Sequence, residues 1–457
     1  MMNSEVLHKL GEIVGRKYLL TSPEELACYS FDGSGGEISP QAVAFPENSD
    51  QIAKILQLAN KHNFPVVPRG AGSGMTGGAV PIHSGLILVT GRMNRILEID
   101  KKNMIAVAEP GVITGELQTE LARHGLMYPP DPASLKFCTL GGNAAECAGG
   151  PSAVKYGVTR DYIIGCEAVL PTGAIITTGV RTEKGVTGYD LTHLLIGSEG
   201  TLAVFTKLVL RLLALPDDKK TFLLLFDSID QAVQLVAELL GSGITPCTLE
   251  YMDQTAITVV RDRLPTPLPE GTHALLLLEI DGNKEDVQEQ EQRLRTFLAG
   301  RPISLQEAKD EAQRQELWLA RRAISPATFT LKPHKISEDV VVPRSKIPQL
   351  VRFTGALAAD LALTILTFGH AGDGNIHVNI MVDKKDAGEY SRGKKAKEQI
   401  FRKVIALGGT LSGEHGIGTT KAPFLPLEIT PVTMRLMKDI KQLFDPNNIL
   451  NPGKIFP

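Results

Sequence analysis

The stretch GHAGDGNIHVNI, Gly369 to Ile380, sets two of the chain's ten histidines around a four-residue AGDG turn. If a strand begins at Asn375, His377 and Asn379 point to one face of it, because side chains alternate along a strand. The reversal could carry His370 back beside them. A second stretch, LGGTLSGEHGIG from Leu407 to Gly418, offers Glu414 and His415 between glycines. Two imidazoles and one carboxylate form a partial shell for Zn²⁺ or Mn²⁺ that leaves positions open for substrate. Two plainer readings stay open on the residues alone. The histidines can line the wet edge of a hairpin, and Glu414 can sit in a capped helix start and pair with a surface lysine.

Glycines carry a second chemistry. VVPRGAGSGMTGGAVP contains Gly72-Ser73-Gly74-Met75-Thr76-Gly77, which satisfies G-x-G-x-x-G, and Asp100 follows it at a distance a ribose-binding acid would need. A dinucleotide fingerprint must open a helix, however, and Gly78, Pro81, His83 and Gly85 interrupt any helix before GLILV. The pattern therefore argues against a nicotinamide-binding Rossmann unit. Successive bare N–H groups can still form a nest for a pyrophosphate, with Arg69 as a nearby charge or facing solvent. Further glycine clusters follow at PPDPASLKFCTLGGNAAECAGG, Pro129 to Gly150, and at GSEGTLAVFTKLVL from Gly197. Three such clusters suggest a long, bent cofactor lying along backbone.

The elements that must position these groups fall into two regions. At 457 residues the chain is long enough for two or three domains. SDQIAKILQLANKH, residues 49–62, carries apolar residues at 52, 55, 56 and 59 behind an N-cap candidate at Ser49. FPVVPRG, GLILV, IAVAEPG, IIGCEAVLP and AIITTG read as short strands, and TGELQTELARHG as a helix ending at Gly125. LALPDDKK, residues 213–220, reads as a polar break. Beyond it TFLLLFDS, SIDQAVQLVAELLGSG, HALLLLEIDG and a helix over 284–298 alternate as in a ferredoxin-like α/β domain. A polar helix carrying Trp318 follows at 308–322. The tail ends as a short helix stopped by Asp-Pro and an irregular segment, which must lie on something to be ordered.

Bulk properties narrow the function. The formal net charge is −3 with no long basic block, which disfavours nucleic acid as a partner. Cys28, Cys138, Cys147, Cys166 and Cys247 include no C-x-x-C, which suggests a reducing compartment and no cysteine-held cluster. The N-terminus lacks the apolar core of a signal peptide, and no apolar run approaches the roughly 20 residues that cross a bilayer. A cytoplasmic protein is expected, with docking on a membrane complex only through a partner.

RGAGSGMTGG, PPDP, TLGGNAAECAGG, KYG and IGSEGTLAVFT together resemble the FAD domain of the vanillyl-alcohol oxidase and p-cresol methylhydroxylase (PCMH) superfamily. Residues 40–457 resemble more closely the D-2-hydroxy-acid dehydrogenases. That group includes the glycolate-oxidase catalytic subunit, D-lactate dehydrogenase and D-2-hydroxyglutarate dehydrogenase. The resemblance implies an α+β fold: a two-subdomain PCMH-type FAD-binding domain over 1–215, a ferredoxin-like substrate and metal (cap) domain over 216–420, and a segment over 421–457 returning to the FAD domain. It implies that Pro68, Arg69, Gly70, Ala71, Gly72, Ser73, Gly74, Thr76 and Gly77 wrap the FAD pyrophosphate. Pro130, Asp131, Ser134, Gly141, Gly142 and Asn143 would line the isoalloxazine and phosphates, with Cys147, Gly149 and Gly157 closing around them. Glu199, Gly200 and Leu202 would meet the adenosine half, and Asn451 of the tail would complete the site. No histidine stands in the glycine loop where flavin-linking relatives have one, so the FAD is expected to be noncovalent.

The same resemblance assigns His370, His377 and Glu414 to one divalent metal (Zn, Mn or Fe) and His415 to the base. Arg321 and Lys335 would reach the substrate carboxylate, with Ser325 and Asn379 beside them. His334 and Ile336 flank the lysine where some relatives carry an aromatic residue, so the pocket wall can differ. The implied reaction is oxidation of a D-2-hydroxy acid, with D-lactate or glycolate favoured, to the 2-oxo acid. Hydride passes to flavin N5, and electrons leave to an iron–sulfur subunit or an electron-transferring flavoprotein. Alternative readings are D-2-hydroxyglutarate as substrate, a non-catalytic flavin subunit of such a complex, and an alkyl-glycerone-phosphate synthase. Retention of both histidines with Glu414 and His415 speaks against the last two.

Overall fold

Residues 49–62 do form a helix, Ser49–His62, which buries Ile52, Ile55, Leu56 and Ala59 along one stripe. Its N-cap is Asn48 rather than Ser49: the Asn48 side chain accepts from the Gln51 N–H, leaving the Ser49 hydroxyl to donate to Glu167 at 2.7 Å. Asn63 ends the helix in the left-handed region, at φ 50°. The computed structural model describes residues 2–457, which divide into two units. The first unit comprises Met1–Gly149, Gly157–Leu215 and Glu414–Pro457, and the second Gly150–Tyr156 and Pro216–Gly413.

In the first unit, strands Leu19–Leu20, Ala42–Ala44, Leu86–Val89 and Val66–Arg69 lie in that order, the last three parallel. The helix Ser49–His62 is the crossover between two of them, and its buried stripe joins Leu86, Leu88 and Val66 in one core. A second, antiparallel sheet runs Ile96–Asp100, Ile105–Ala108, Val204–Arg211, Ile163–Val169, Ile175–Gly179. The C-terminal tail is ordered because it lies along Val66, which donates to the Ile449 carbonyl and accepts from the Asn451 N–H. The break expected over 213–220 is narrower. Leu213–Ala214 pairs with Leu126–Met127, and the next strand already begins at Asp218.

The second unit is built on seven antiparallel strands: β1 (Asp218–Phe226), β2 (Thr248–Asp253), β3 (Ala274–Gly282), β4 (Ser304–Glu307), β5 (His334–Val341), β6 (Thr364–His370) and β7 (Asn375–Val382). Their order is β4-β1-β3-β2-β6-β7-β5. The first four, with helices α1 (Ile229–Gly241) and α3 (Lys284–Leu298), give the 4-1-3-2 order of a ferredoxin-like unit. The last three extend that sheet through the β2–β6 pairing, which the alternation of elements does not reveal. One face is covered by α2 (Gln254–Val260) and α4 (Glu311–Ala327), through Ile257, Val260, Leu317, Trp318 and Ile324 packed on Leu223, Leu277, Leu366 and Phe368. Helix α4 begins at an Asp310 cap and runs past 322 to Ala327. Gly150–Tyr156 joins this unit by ionic anchorage. Lys155 Nζ lies 2.5 Å from Asp281, whose carboxylate also accepts from the Tyr156 hydroxyl.

Candidate functional site

Strand register decides which side chains meet under α4. Pairing of Asp339 with His377 and of His377 with Phe368 puts these three on one row across β5, β7 and β6. The next row toward the other end is Ser337, Asn379 and Leu366, and the one after it Lys335, Met381 and Thr364. On the other side of the His377 row lie Asn375 and His370, and His370 pairs in turn with Glu250 of β2. Residues two apart on a strand share a face, so polar groups from four strands collect on the side that α4 covers.

Helix α4 supplies the remaining charges at matching spacing. Arg321 sits over the Phe368 ring, 4.9 Å from its centroid, beside the His377 row. One turn on, the Ser325 hydroxyl accepts from Lys335 Nζ at 2.6 Å, beside the Met381 row. A helical turn rises about 5.4 Å and two strand residues about 6.6 Å, so the helix and the strands run nearly in step here. Arg321 and Lys335 therefore flank the Asn379 row. Asn379 is fully buried, and neither its Nδ2 nor its Oδ1 has a hydrogen-bond partner in the protein. A buried amide with both ends unsatisfied is costly and calls for an explanation. Burial pulls the Lys335 ammonium below its ordinary pKa.

The two histidines do come together. Their rings meet edge to face at 5.1 Å between centroids, and Phe368 lies 5.3 Å from the His377 ring. His370 Nδ1 lies 2.6 Å from Glu250 Oε1, and Glu250 Oε2 accepts from Arg321 Nε at 2.7 Å. Burial alone would push this carboxyl up, but the Arg321 guanidinium and the His370 imidazole bonded to it outweigh burial and hold its pKa down to about 2. Glu250 was not among the sequence candidates. The signal for it was a carboxylate in the middle of the strand TLEYMD, between Leu249 and Tyr251. Asp339, fully buried and accepting from the Gly413 N–H at 2.9 Å, was missed as well. Glu414 and His415 follow Gly413 directly and open the return segment of the first unit. His415 Nε2 stands 3.9 Å from Glu414 Oε1.

In the first unit the glycine loop leaves the strand Val66–Arg69 and opens no helix. Gly72 has φ +70°, and a Cβ there would run into the Arg69 guanidinium. That guanidinium is turned beneath the loop: Nη1 donates to the Phe31 carbonyl at 2.8 Å and the group lies over the Tyr29 ring. Arg69 is thus neither solvent-facing nor an open charge beside the loop. The loop is stitched to the return segment. Thr76 Oγ1 donates to the His415 carbonyl, the Thr419 N–H donates to the Thr76 carbonyl, and Lys454 Nζ donates to the carbonyls of Gly77 and Val80. Glu199 accepts from the Ile417 and Gly418 N–H groups at 2.7 Å, and Asn451 Nδ2 donates to the Gly78 and Glu199 carbonyls. Asn143 Nδ2 donates to the Thr114 hydroxyl at 2.7 Å, and the Asn143 backbone is engaged as well, its N–H with the Thr139 carbonyl and its carbonyl with the Ala148 N–H. Asn451 Oδ1 and Ser198 Oγ are buried without protein partners, which suits a polar cofactor in this cradle.

Comparison with known proteins places this geometry. Residues 40–179 match the family model described as an FAD binding domain, and residues 215–455 the one described as the C-terminal domain of FAD linked oxidases. The chain is 43% identical to the glycolate oxidase subunit GlcD of Bacillus subtilis over all of its length and 97% of that protein's. It is 35% identical to a D-lactate dehydrogenase of Anaerostipes hadrus, covering 99% of this chain and 97% of the other. Among solved structures it is similar to p-cresol methylhydroxylase with substrate bound, at TM-score 0.83 and 18% identity over 99% of this chain and 96% of that one. An alkyldihydroxyacetonephosphate synthase matches at TM-score 0.77 and 20% identity, covering 99% and 85%. At those identities the structural likenesses speak for the fold alone.

Proposed function

Because the chain belongs to the FAD-linked D-2-hydroxy-acid dehydrogenases of the glycolate oxidase GlcD type, we propose that the α4 side of its second unit receives the hydroxy acid beside a divalent metal. The enzyme oxidises a D-2-hydroxy acid, of the glycolate or D-lactate kind, to the 2-oxo acid, with bound FAD accepting the hydride. The observation that carries the site assignment is the buried amide of Asn379, without protein partners and flanked by Arg321 and Lys335. Two cations and an amide are a recognition set for a small carboxylate. Arg321 and Lys335 hold the substrate carboxylate, and Ser325 and Asn379 fix its orientation by hydrogen bonds.

His370, His377 and Glu414 are the metal ligands. The paired imidazoles support this, as does the Asp339–Gly413 hydrogen bond, which fixes the backbone one residue before Glu414 against the strand position facing His377. A nitrogen-rich set with one carboxylate suits Zn, Mn or Fe. A metal held there lowers the pKa of a substrate hydroxyl that would not lose its proton unaided at neutral pH. His415 takes that proton while neutral. In the first unit, Pro68 to Gly77 receive the FAD pyrophosphate through backbone N–H groups, and Pro130 to Ser134, Gly141 to Asn143, Cys147 to Gly149 and Gly157 bound the rest of the isoalloxazine side. Glu199 to Leu202 with Asn451 bound the adenosine side, and the flavin is held noncovalently.

Electrons leave to a separate protein, an iron–sulfur subunit or an electron-transferring flavoprotein. The relatives' description as glycolate oxidase subunits supports this. No helix among the described residues is long and apolar enough to cross a membrane, so a route to a membrane acceptor runs through such a partner. Metal analysis, flavin release and turnover with an acceptor dye or with oxygen test the proposal on one preparation. Stoichiometric metal, FAD freed by mild denaturation and dye-dependent turnover far above oxygen turnover are expected. Metal-free protein with full activity would refute the metal site, and rapid stoichiometric peroxide formation would refute the partner.

A further inference from the structure

Glu250 lies near the middle of the sheet, fully buried, with its two oxygens turned to different chemistries. Register explains one contact: Glu250 of β2 is the cross-strand partner of His370 of β6, so the two side chains stand together on one face. The other contact descends from α4, where Arg321 offers Nε at 2.7 Å and Nη2 at 2.5 Å to the same Oε2. Glu279, one strand over, is equally buried but spends its Oε1 on Trp318 Nε1 and the Thr221 hydroxyl.

We propose that Glu250 is a positioning residue that couples the metal site to the carboxylate site, fixing the ring nitrogen His370 offers to metal and the edge Arg321 offers to substrate. The inference rests on the reading of His370 as a metal ligand and Arg321 as a carboxylate partner. An ionised carboxylate has no hydrogen to give, so His370 Nδ1 must carry the proton, and the lone pair lies on Nε2. A carboxylate behind a metal-bound imidazole fixes the ring's orientation and raises its basicity. On the other side, the Nε–Nη2 edge of Arg321 is taken up by Oε2, so the Nη1–Nη2 end is what can clasp a substrate carboxylate with two parallel bonds. One side chain thus sets both donors, and a change there is felt at both.

The test compares Glu250→Gln with Glu279→Gln and His377→Ala. Glutamine keeps the volume but has only one acceptor. With its oxygen on Arg321, its NH₂ faces His370 Nδ1 and forces the proton onto Nε2, the nitrogen meant for metal. Chelator competition on FAD-loaded protein should show Glu250→Gln binding metal 10- to 100-fold more weakly, the range seen when such supporting carboxylates are lost. Its KM for hydroxy acid should rise while excess metal restores part of kcat. Glu279→Gln should keep unchanged metal affinity. An unchanged metal affinity and KM in Glu250→Gln would overturn the inference. If wild type binds no metal, or His377→Ala keeps it, the underlying site reading fails instead. Should Glu250→Gln not fold, ¹⁵N spectra of histidine-labelled wild type decide. The His370 signal, assigned by its loss in His370→Gln, should show a proton on Nδ1, and a proton on Nε2 in the metal-free chain would overturn the inference.

Discussion

Asn379→Val should make the protein more stable and less active. The wild-type amide is fully buried in β7, between Ser337 and Leu366, with no protein partner for either polar atom. Each unsatisfied buried polar group costs about 1–3 kcal/mol. Valine removes both, suits a strand, and adds little volume, so strain takes back only about 1 kcal/mol. A net gain of about 1–5 kcal/mol follows from these opposing costs. Activity moves the other way. Losing one or two hydrogen bonds to a bound carboxylate or hydroxyl should cost about 1–3 kcal/mol of transition-state binding, roughly 5- to 150-fold in kcat/KM. The assay is urea unfolding followed by Trp318 fluorescence, together with steady-state turnover. Trp318 is the only tryptophan, lies in α4 of the same unit, and donates to Glu279, so its signal reports this sheet. Loss of stability, or unchanged kcat/KM, would refute the reading of Asn379 as a group held unsatisfied for substrate.

Arg321→Met should destabilise the second unit by about 3–5 kcal/mol at neutral pH, because it removes the guanidinium from a buried carboxylate. A loss below about 1 kcal/mol in the same urea assay would show that Glu250 is satisfied otherwise. His415→Ala should retain metal and bind product analogues while flavin reduction slows by roughly 100-fold or more, as expected for loss of a general base. An unchanged anaerobic reduction rate would remove His415 from the chemistry. Asp253 caps α2 and accepts from Thr367, and burial outweighs these bonds to push its carboxyl up to about 6. A raised folded-state pKa means the folded chain holds the proton longer. Its contribution is therefore full below about pH 4 and falls by about 3 kcal/mol as pH rises through about 6. Asp253→Asn should flatten that part of the stability–pH curve, and an unchanged slope would show that the group is not desolvated in solution.

How far the sequence could be read depended on how local each signal was. The β6–turn–β7 hairpin was legible because the AGDG turn and the alternation of His377 and Asn379 lie within a few residues of each other. The helix Ser49–His62 was legible from its stripe, though its cap fell on Asn48, since either of two adjacent polar residues satisfies the pattern. The β2–β6 pairing was not legible. Glu250 and His370 stand 120 residues apart, and no periodicity within either strand names its partner. Glu250 was missed for the same reason. The orientation of Arg69 was beyond the pattern too, because the Phe31 carbonyl that receives it comes from an irregular segment with no motif of its own. Gly150–Tyr156 lies in sequence inside the first domain, and partners far along the chain, the Asp281 carboxylate among them, give it to the second unit.

The most direct test of the account is anaerobic mixing of the FAD-loaded protein with D-lactate, L-lactate and glycolate, before and after metal removal. The account predicts rapid bleaching of the flavin by D-lactate or glycolate, slow or no bleaching by L-lactate, and loss of the rapid phase on chelation with recovery when Zn²⁺ or Mn²⁺ is restored. Equal bleaching by both lactate enantiomers, or a rapid phase indifferent to chelation, would contradict it.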